Sequence, residues 1–381
     1  MAVKRLRECI DQEIVRFSIK DLLGCSLNEK PLSFDKNLRF DTQKQAVWRA
    51  SDHEAYQVIC PTKGSAWHRM FATANLLLKG EGTGLFIDPK NDIQGLVIYP
   101  RDAVIVTVAK SIGVAAKVLR KTSSQKNVIE NERTAYQLLP EFVPAIIRCQ
   151  NDAKSDSFDY VVSKFVPNNH PVSKEEWHIV FPAVAQALLL CYERAGFRRI
   201  SVTEIMERAE GTLEKHREES EFYQLCQSVI HDINGICIRF SDANLLNTFS
   251  HGDLTWDAIH RSGDSLNIID WGNAGYRSVF YDLFIQEFYS ANPRFWRNLL
   301  DAKSLDFFSS FFYGTFDLYY QGLIARTRTD LSLFDIKANL IICLLENAVD
   351  NFVRYRVVDE QEGMEFFGHI EKIKDFLCAA Y

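Results

Sequence analysis

Long apolar runs are missing from these 381 residues. The most apolar stretch, Ile179 to Cys191, is interrupted by Pro182 and Gln186 and is too short to span a bilayer, so a buried helix is expected there. The opening residues, Met1 to Gln12, mix charges from the start and contain no apolar run of signal-peptide length. A Cys-x-x-Cys pair is missing too. The nine cysteines are scattered and odd in number, which disfavours a disulfide framework and fits reduced thiols in a cytoplasmic protein. Nor does one charge dominate: 44 Lys and Arg face 50 Asp and Glu, a net charge of −6. That balance argues against broad electrostatic binding of nucleic acid or anionic membrane, while leaving a local basic patch open. With 47% hydrophobic and 25% charged residues, disordered, collagenous and fibrous classes are excluded. What the chain does have is aromatic material, 27 Phe, 14 Tyr and 6 Trp, enough for a large core. Its length suggests two to three domains at about 150 residues each.

Residues 1–92 are the least readable. A polar stretch, Asn28 to Gln43, precedes an expected helix from Ala66 to Lys79 that ends at Gly80. The alternating glycines at 80, 82 and 84 follow a helix rather than a strand, so a flexible turn is expected instead of a phosphate cradle. From Gln94 the period changes to that of strands: Gly95 to Tyr99, Ala103 to Ala109 and Val114 to Leu119, split by turn residues. A helix over Asn127 to Leu139, stopping before Pro140, and a strand pair at Ala145 to Cys149 and Tyr160 to Val166 follow. Beyond residue 167 helices dominate. Ser173 to Glu176 and Ser201 to Glu204 have the capping-box form ahead of apolar periodicity. Glu207 to His216 is expected to be a solvated helical face loosened at Gly211, and the stripe from Phe307 to Tyr320 to be core.

Between these helices lies Ser250-His251-Gly252-Asp253-Leu254-Thr255-Trp256-Asp257, followed by Leu266-Asn267-Ile268-Ile269-Asp270-Trp271. Asp253 and Asp270 each sit at the edge of a short apolar strand, 17 positions apart, a spacing that suits a hairpin-like excursion. Phosphoryl transfer needs such a pair. One carboxylate orients or deprotonates the attacking hydroxyl, and the other holds Mg²⁺ on the nucleotide phosphates. Loop aspartates more often serve turns and caps, so the pair alone is weak. His231-Asp232, with His216 upstream, meets part of the pattern of a histidine–aspartate phosphohydrolase; surrounding charges make a helix-surface pair the expectation.

His251-Gly252-Asp253-Leu254, then Ile268-Ile269-Asp270-Trp271, then Tyr281-Asp282-Leu283 resemble the aminoglycoside phosphotransferase and choline kinase-like branch of the protein-kinase-like fold. The resemblance implies an α+β, two-lobed chain: an N-terminal extension over 1–92, a small antiparallel-sheet nucleotide-binding lobe over 93–166, and a larger, mainly helical lobe over 167–381. It makes Asp253 the catalytic base, His251 a hydrogen-bonding brace of the catalytic loop, Asp270 the Mg²⁺ ligand and Asp282 the support of that loop. It also requires a strand lysine paired with a helix glutamate, which Lys117 and Glu132 satisfy at 15 residues apart; Lys110 or Lys121, and Glu130, are the alternatives. The loop covering the nucleotide would be Tyr99 to Asp102, with Arg101 near phosphate, and the adenine hinge would lie at about Ser163 to Val166, including Phe165.

One position departs from the family. Five residues after the catalytic aspartate the family has an asparagine that ligates a second metal ion; here it is Ala258, whose methyl group cannot ligate Mg²⁺. A deliberately inactivated variant, a natural pseudoenzyme, or substitution by Asp257 would each account for it. The resemblance thus implies an ATP- and Mg²⁺-dependent kinase of a small molecule bearing a hydroxyl, with no nucleic-acid partner and no membrane insertion. A pseudokinase serving as a binding module is the competing expectation.

Overall fold

A computed structural model describes residues 38–41, 46–49, 93–99, 104–109, 113–120, 127–150, 158–165, 170–171, 176–255, 258–262, 265–288, 303, 315–358 and 363–371. The expected helix at 66–79, the glycines at 80–84, the turn residues at 100–102, Val166, Trp256, Asp257, Trp296 and the aromatics of 307–313 lie outside them. The chain divides into two compact units, Met1–Ser173 with Asp257–Gly272, and Lys174–Trp256 with Asn273–Tyr381.

The first unit is built on a seven-stranded sheet. Its strands are β1 (Leu38–Asp41), β2 (Ala46–Arg49), β3 (Ile93–Tyr99), β4 (Val104–Ala109), β5 (Val114–Arg120), β6 (Ile146–Gln150) and β7 (Phe158–Lys164), in the order β1-β2-β3-β4-β5-β7-β6. Every pairing is antiparallel. The β-branched runs of the sequence account for β3 to β7, while β1 and β2 fall in the stretch where no pattern was legible. Helix α1 (Val128–Leu138) stops one residue after its last apolar turn, with the Leu139 N–H closing on the Ala135 carbonyl at 2.8 Å and Pro140 unable to continue it. Val128 and Ile129 at its start pack with Leu119 and Val161 of the sheet, and this burial fixes how α1 lies. A second sheet, in the order β12-β11-β8, joins β8 (His170–Pro171) to the hairpin β11 (Ile259–Ser262) and β12 (Ser265–Ile268). That hairpin is the excursion expected between Asp253 and Asp270.

The second unit is mainly helical. Helices α2 (Trp177–Ala195), α3 (Val202–Lys215), α4 (Glu221–Cys237), α5 (Tyr281–Phe288), α6 (Thr315–Thr327) and α7 (Leu333–Val358) surround a small sheet with β10 (Leu245–Ser250) between β9 (Arg198–Ile200) and β13 (Gly275–Ser278). Helix α2 is the buried apolar helix expected, with Pro182 inside it and Gly196, at φ 81°, ending it. At α3 the Ser201 hydroxyl accepts the Glu204 N–H at 3.1 Å, the N-cap its sequence announced. The helix then runs unbroken through Gly211, because Val202, Ile205, Ala209 and Leu213 bury one continuous face whatever the glycine prefers. Within the described part of the aromatic stripe, Phe316, Tyr319 and Tyr320 are buried, with Phe316 stacked on Phe280 at 5.8 Å. No helix of the described residues is long and apolar enough to cross a membrane.

Helix α7 is what steadies the small sheet. The Asn339 amide donates to the Asn244 carbonyl at 3.1 Å, and its oxygen accepts the Ser278 hydroxyl at the same distance. Two turns of helix further on, Glu346 accepts the Ser278 N–H at 3.0 Å. These bonds tie β10 and β13 to one rigid element at the strand ends from which the motif residues emerge.

Candidate active site

Each unit gathers part of the motif. In the first, β5 presents Lys117 between Ala116 and Val118, which are both fully buried on the other face of the strand. Its ammonium bonds to Glu132 of α1 and, at 2.7 Å, to Asp270 Oδ1 just beyond β12. Among the lysine and glutamate candidates, the structure brings together Lys117 and Glu132; Glu130 pairs with Arg133 on the same helix instead. Burial alone would depress the Lys117 ammonium, but the Asp270 and Glu132 carboxylates outweigh it and hold it above the ordinary lysine range. Asp270 itself is 58% exposed and adopts a left-handed φ of 64°, a conformation that aspartate tolerates better than most residues and that recurs at functional positions.

Two further residues of this unit were not foreseen. Asn131, next to Glu132, donates to the Gly272 carbonyl at 2.9 Å, so α1 grips the segment after Asp270 as well as the lysine. A Cβ on Gly272 would lie 3.2 Å from Val128 Cγ1 and 3.6 Å from Lys117 Nζ; its absence lets the segment lie close against α1 and the lysine. Trp271 is fully enclosed, its indole N–H bonded to the Ile268 carbonyl at 3.1 Å, and so belongs to the core. At the other end of the expected nucleotide site, the Phe165 N–H donates to the Gly113 carbonyl at 2.8 Å.

In the second unit, the turn after β10 is organised by Asp282, at the start of α5 and fully buried. Its carboxylate accepts the Ser250 hydroxyl at 2.8 Å, the His251 N–H at 2.8 Å, the Gly252 N–H at 3.0 Å and, more loosely, the Tyr192 hydroxyl at 3.3 Å. Several donors converging on one buried carboxylate satisfy its charge and fix two consecutive backbone amides and the Ser250 side chain. His251, also fully buried, accepts the Asp253 N–H at Nδ1 at 3.3 Å, and Asn273 donates its amide to Asp253 Oδ2 at 3.4 Å. Gly252 has a φ of 86°, and a Cβ there would stand 2.2 Å from the Asn273 carbonyl oxygen, so only glycine fits. His231, of the alternative phosphohydrolase pair, is on the exposed side of α4 beside Glu210.

No family model matches the sequence, and no curated protein matches it. Solved structures do. LicA in complex with AMP superposes with a TM-score of 0.51, over 84% of this chain and 100% of LicA, at 14% identity. The chain shares the fold of LicA. A second structure, choline kinase LicA from Streptococcus pneumoniae, is similar at 13% identity, covering 73% of this chain and 90% of its own with a TM-score of 0.47. A spectinomycin phosphotransferase in complex with ADP and spectinomycin is similar at 13% identity, 76% and 94% coverage and a TM-score of 0.45.

Among the described residues of the motif, the side chains fit one divalent cation better than two. Asp270 offers a largely exposed carboxylate. Ala258 offers no side-chain oxygen, is buried, and has its carbonyl engaged by the Ile269 N–H at 2.8 Å. Asp257, like Arg101 and Val166, falls among the residues not described.

Proposed function

We propose that the chain is an ATP- and Mg²⁺-dependent phosphotransferase that moves the γ-phosphoryl group to a hydroxyl of a small molecule. The observation that carries this reading is Lys117 bonded at once to Glu132 and Asp270, residues 15 and 153 positions away in sequence, which gathers a phosphate-binding cation and a metal-binding carboxylate. On binding ATP, the lysine keeps Glu132 as its anchor and turns its remaining donors to phosphate oxygens. Asp270 would hold the Mg²⁺ ion, which would supply positive charge at the nucleotide phosphates. Asp253 orients the acceptor hydroxyl and takes its proton, and the braced turn keeps its carboxylate aimed. Amino alcohols, aminoglycosides and sugars are the acceptors to try first. We further place the domain limits at 92/93 and 166/167 and the protein in the cytoplasm.

Ala258 favours a second reading, a nucleotide-binding pseudokinase acting as an interaction module. Thermal-shift titration with ATP and Mg²⁺, followed by an ATP-consumption screen over those acceptors with the natural chain and Ala258→Asn, separates the two. Absence of any nucleotide-dependent stabilisation sinks both. Binding with no turnover in either protein selects the pseudokinase, and turnover selects the phosphotransferase.

A further inference from the structure

Behind the Asp253 turn lies a charge pair that the catalytic motif does not include. Arg277, on β13, is largely buried and donates from Nε to Asp350 Oδ2 of α7 at 2.7 Å. Its guanidinium lies over the Tyr281 ring at 4.9 Å, and the Tyr281 hydroxyl donates to the same Asp350 oxygen at 3.2 Å. The other end of the fork reaches the catalytic turn: a Cβ on Gly252 would stand 2.7 Å from Arg277 Nη1 and 3.0 Å from Cζ, and a Cβ on Gly275 3.2 Å from Nη1. Nη1 is buried with no hydrogen-bond partner among the described residues. A buried donor left without an acceptor costs about 1–3 kcal/mol, so native structures keep one only where something else is gained.

We propose that Arg277, held in place by Asp350, is a positioning residue that clamps Gly252 and thereby aims Asp253. The Asn273 carbonyl and the guanidinium both close on the face of Gly252 where a Cβ would stand, while its N–H is held by Asp282. The planar fork suits this task because one edge forms the ion pair with Asp350 while the opposite corner packs on the glycine. Lysine could keep the charge near Asp350 but has no atom in the place of Nη1. The pair lies 73 positions apart in sequence and joins the turn to α7, so that helix sets the aim of the carboxylate. As a contribution to transfer, the clamp rests on the phosphotransferase reading above.

The test compares natural chain, Arg277→Met, Arg277→Lys and Asp350→Asn by hydrogen exchange at the Gly252 amide and by steady-state ATP turnover, both well below each melting temperature. Arg277→Met is expected to speed Gly252 exchange about tenfold and to lower kcat by a similar factor, with KM for ATP held within about twofold, the pattern of a group acting on the transition state alone. Arg277→Lys should melt within about 3 °C of the natural chain yet show part of both effects, which a merely structural role would not produce. Unchanged Gly252 exchange and kcat in Arg277→Lys and Asp350→Asn would overturn the proposal, and these two variants decide it if Arg277→Met fails to fold. Should no chain consume ATP, the phosphotransferase reading falls, while the exchange arm still decides whether Arg277 clamps the turn.

Discussion

Asp270 and Asp282 stand twelve positions apart and belong to regions held together in opposite ways. Around Asp270 the bonds are ionic and partly open to water: one lysine shared by two carboxylates, with the aspartate itself more than half exposed in a left-handed backbone conformation. Around Asp282 they are buried hydrogen bonds from consecutive amides and a hydroxyl. The first region can exchange one partner for another at little cost, because water and ions compete for each contact. The second cannot, because no solvent replaces a lost bond in a buried site. The proposed phosphotransfer would use both, a ligand-responsive half where charge arrives with one substrate and a preset half whose geometry awaits the other.

Removing the preset half's anchor gives the largest expected effect. Asp282→Ala leaves the Ser250, His251 and Gly252 donors without their acceptor, and chemical denaturation should record a loss of about 4 kcal/mol. Gly252→Ala follows, at about 3 kcal/mol, since its methyl group meets the Asn273 carbonyl in a backbone conformation that L-residues avoid. A pH series probes the support behind that turn. Burial, opposed by the Ser278 N–H and Arg277, pushes the Glu346 carboxyl up to about 8. The folded chain thus holds a proton there that the unfolded chain has released above its ordinary value of 4.5. This contribution to stability is complete at pH 4 and is lost as pH rises through 8. Against Glu346→Gln as the flat reference, the natural chain should lose up to about 1.4 kcal/mol per pH unit across that interval. The smallest effect belongs to the responsive half: Asp270→Asn should change unfolding free energy by less than about 1 kcal/mol while abolishing Mg²⁺-dependent nucleotide binding in a titration. Equal destabilisation by Asp270→Asn and Asp282→Ala would erase the contrast.

The parts legible in the sequence are those where chemistry or period constrains neighbouring residues. His251-Gly252-Asp253, Asp270 and Asp282 stood out because they match a known motif in order and spacing, and β3 to β7 and α1 because their apolar residues recur at the right period. Lys117 and Glu132 required a fold before they could be paired. Strands β1 and β2, four residues each, are too short for alternation to rise above chance. Arg277 and Asp350 lie on separate elements with no shared period, so only the folded chain brings them together. Asn131 and Asn273 looked like ordinary polar residues of a helix surface and a turn; their meaning comes from a carbonyl and a carboxylate far off in sequence. Gly211 misled in the other direction, since local propensity gave way to a buried face.

The enclosure of Trp271 has a practical side. An indole fully shielded from water, with its N–H fixed to the Ile268 carbonyl, sits one peptide bond from Asp270. A shielded indole emits at shorter wavelength than a hydrated one and answers to charge placed nearby, so the emission that separates the natural chain from Trp271→Phe is a built-in optical gauge of what happens at its neighbour. It requires no label and leaves every side chain of the lysine cluster in place.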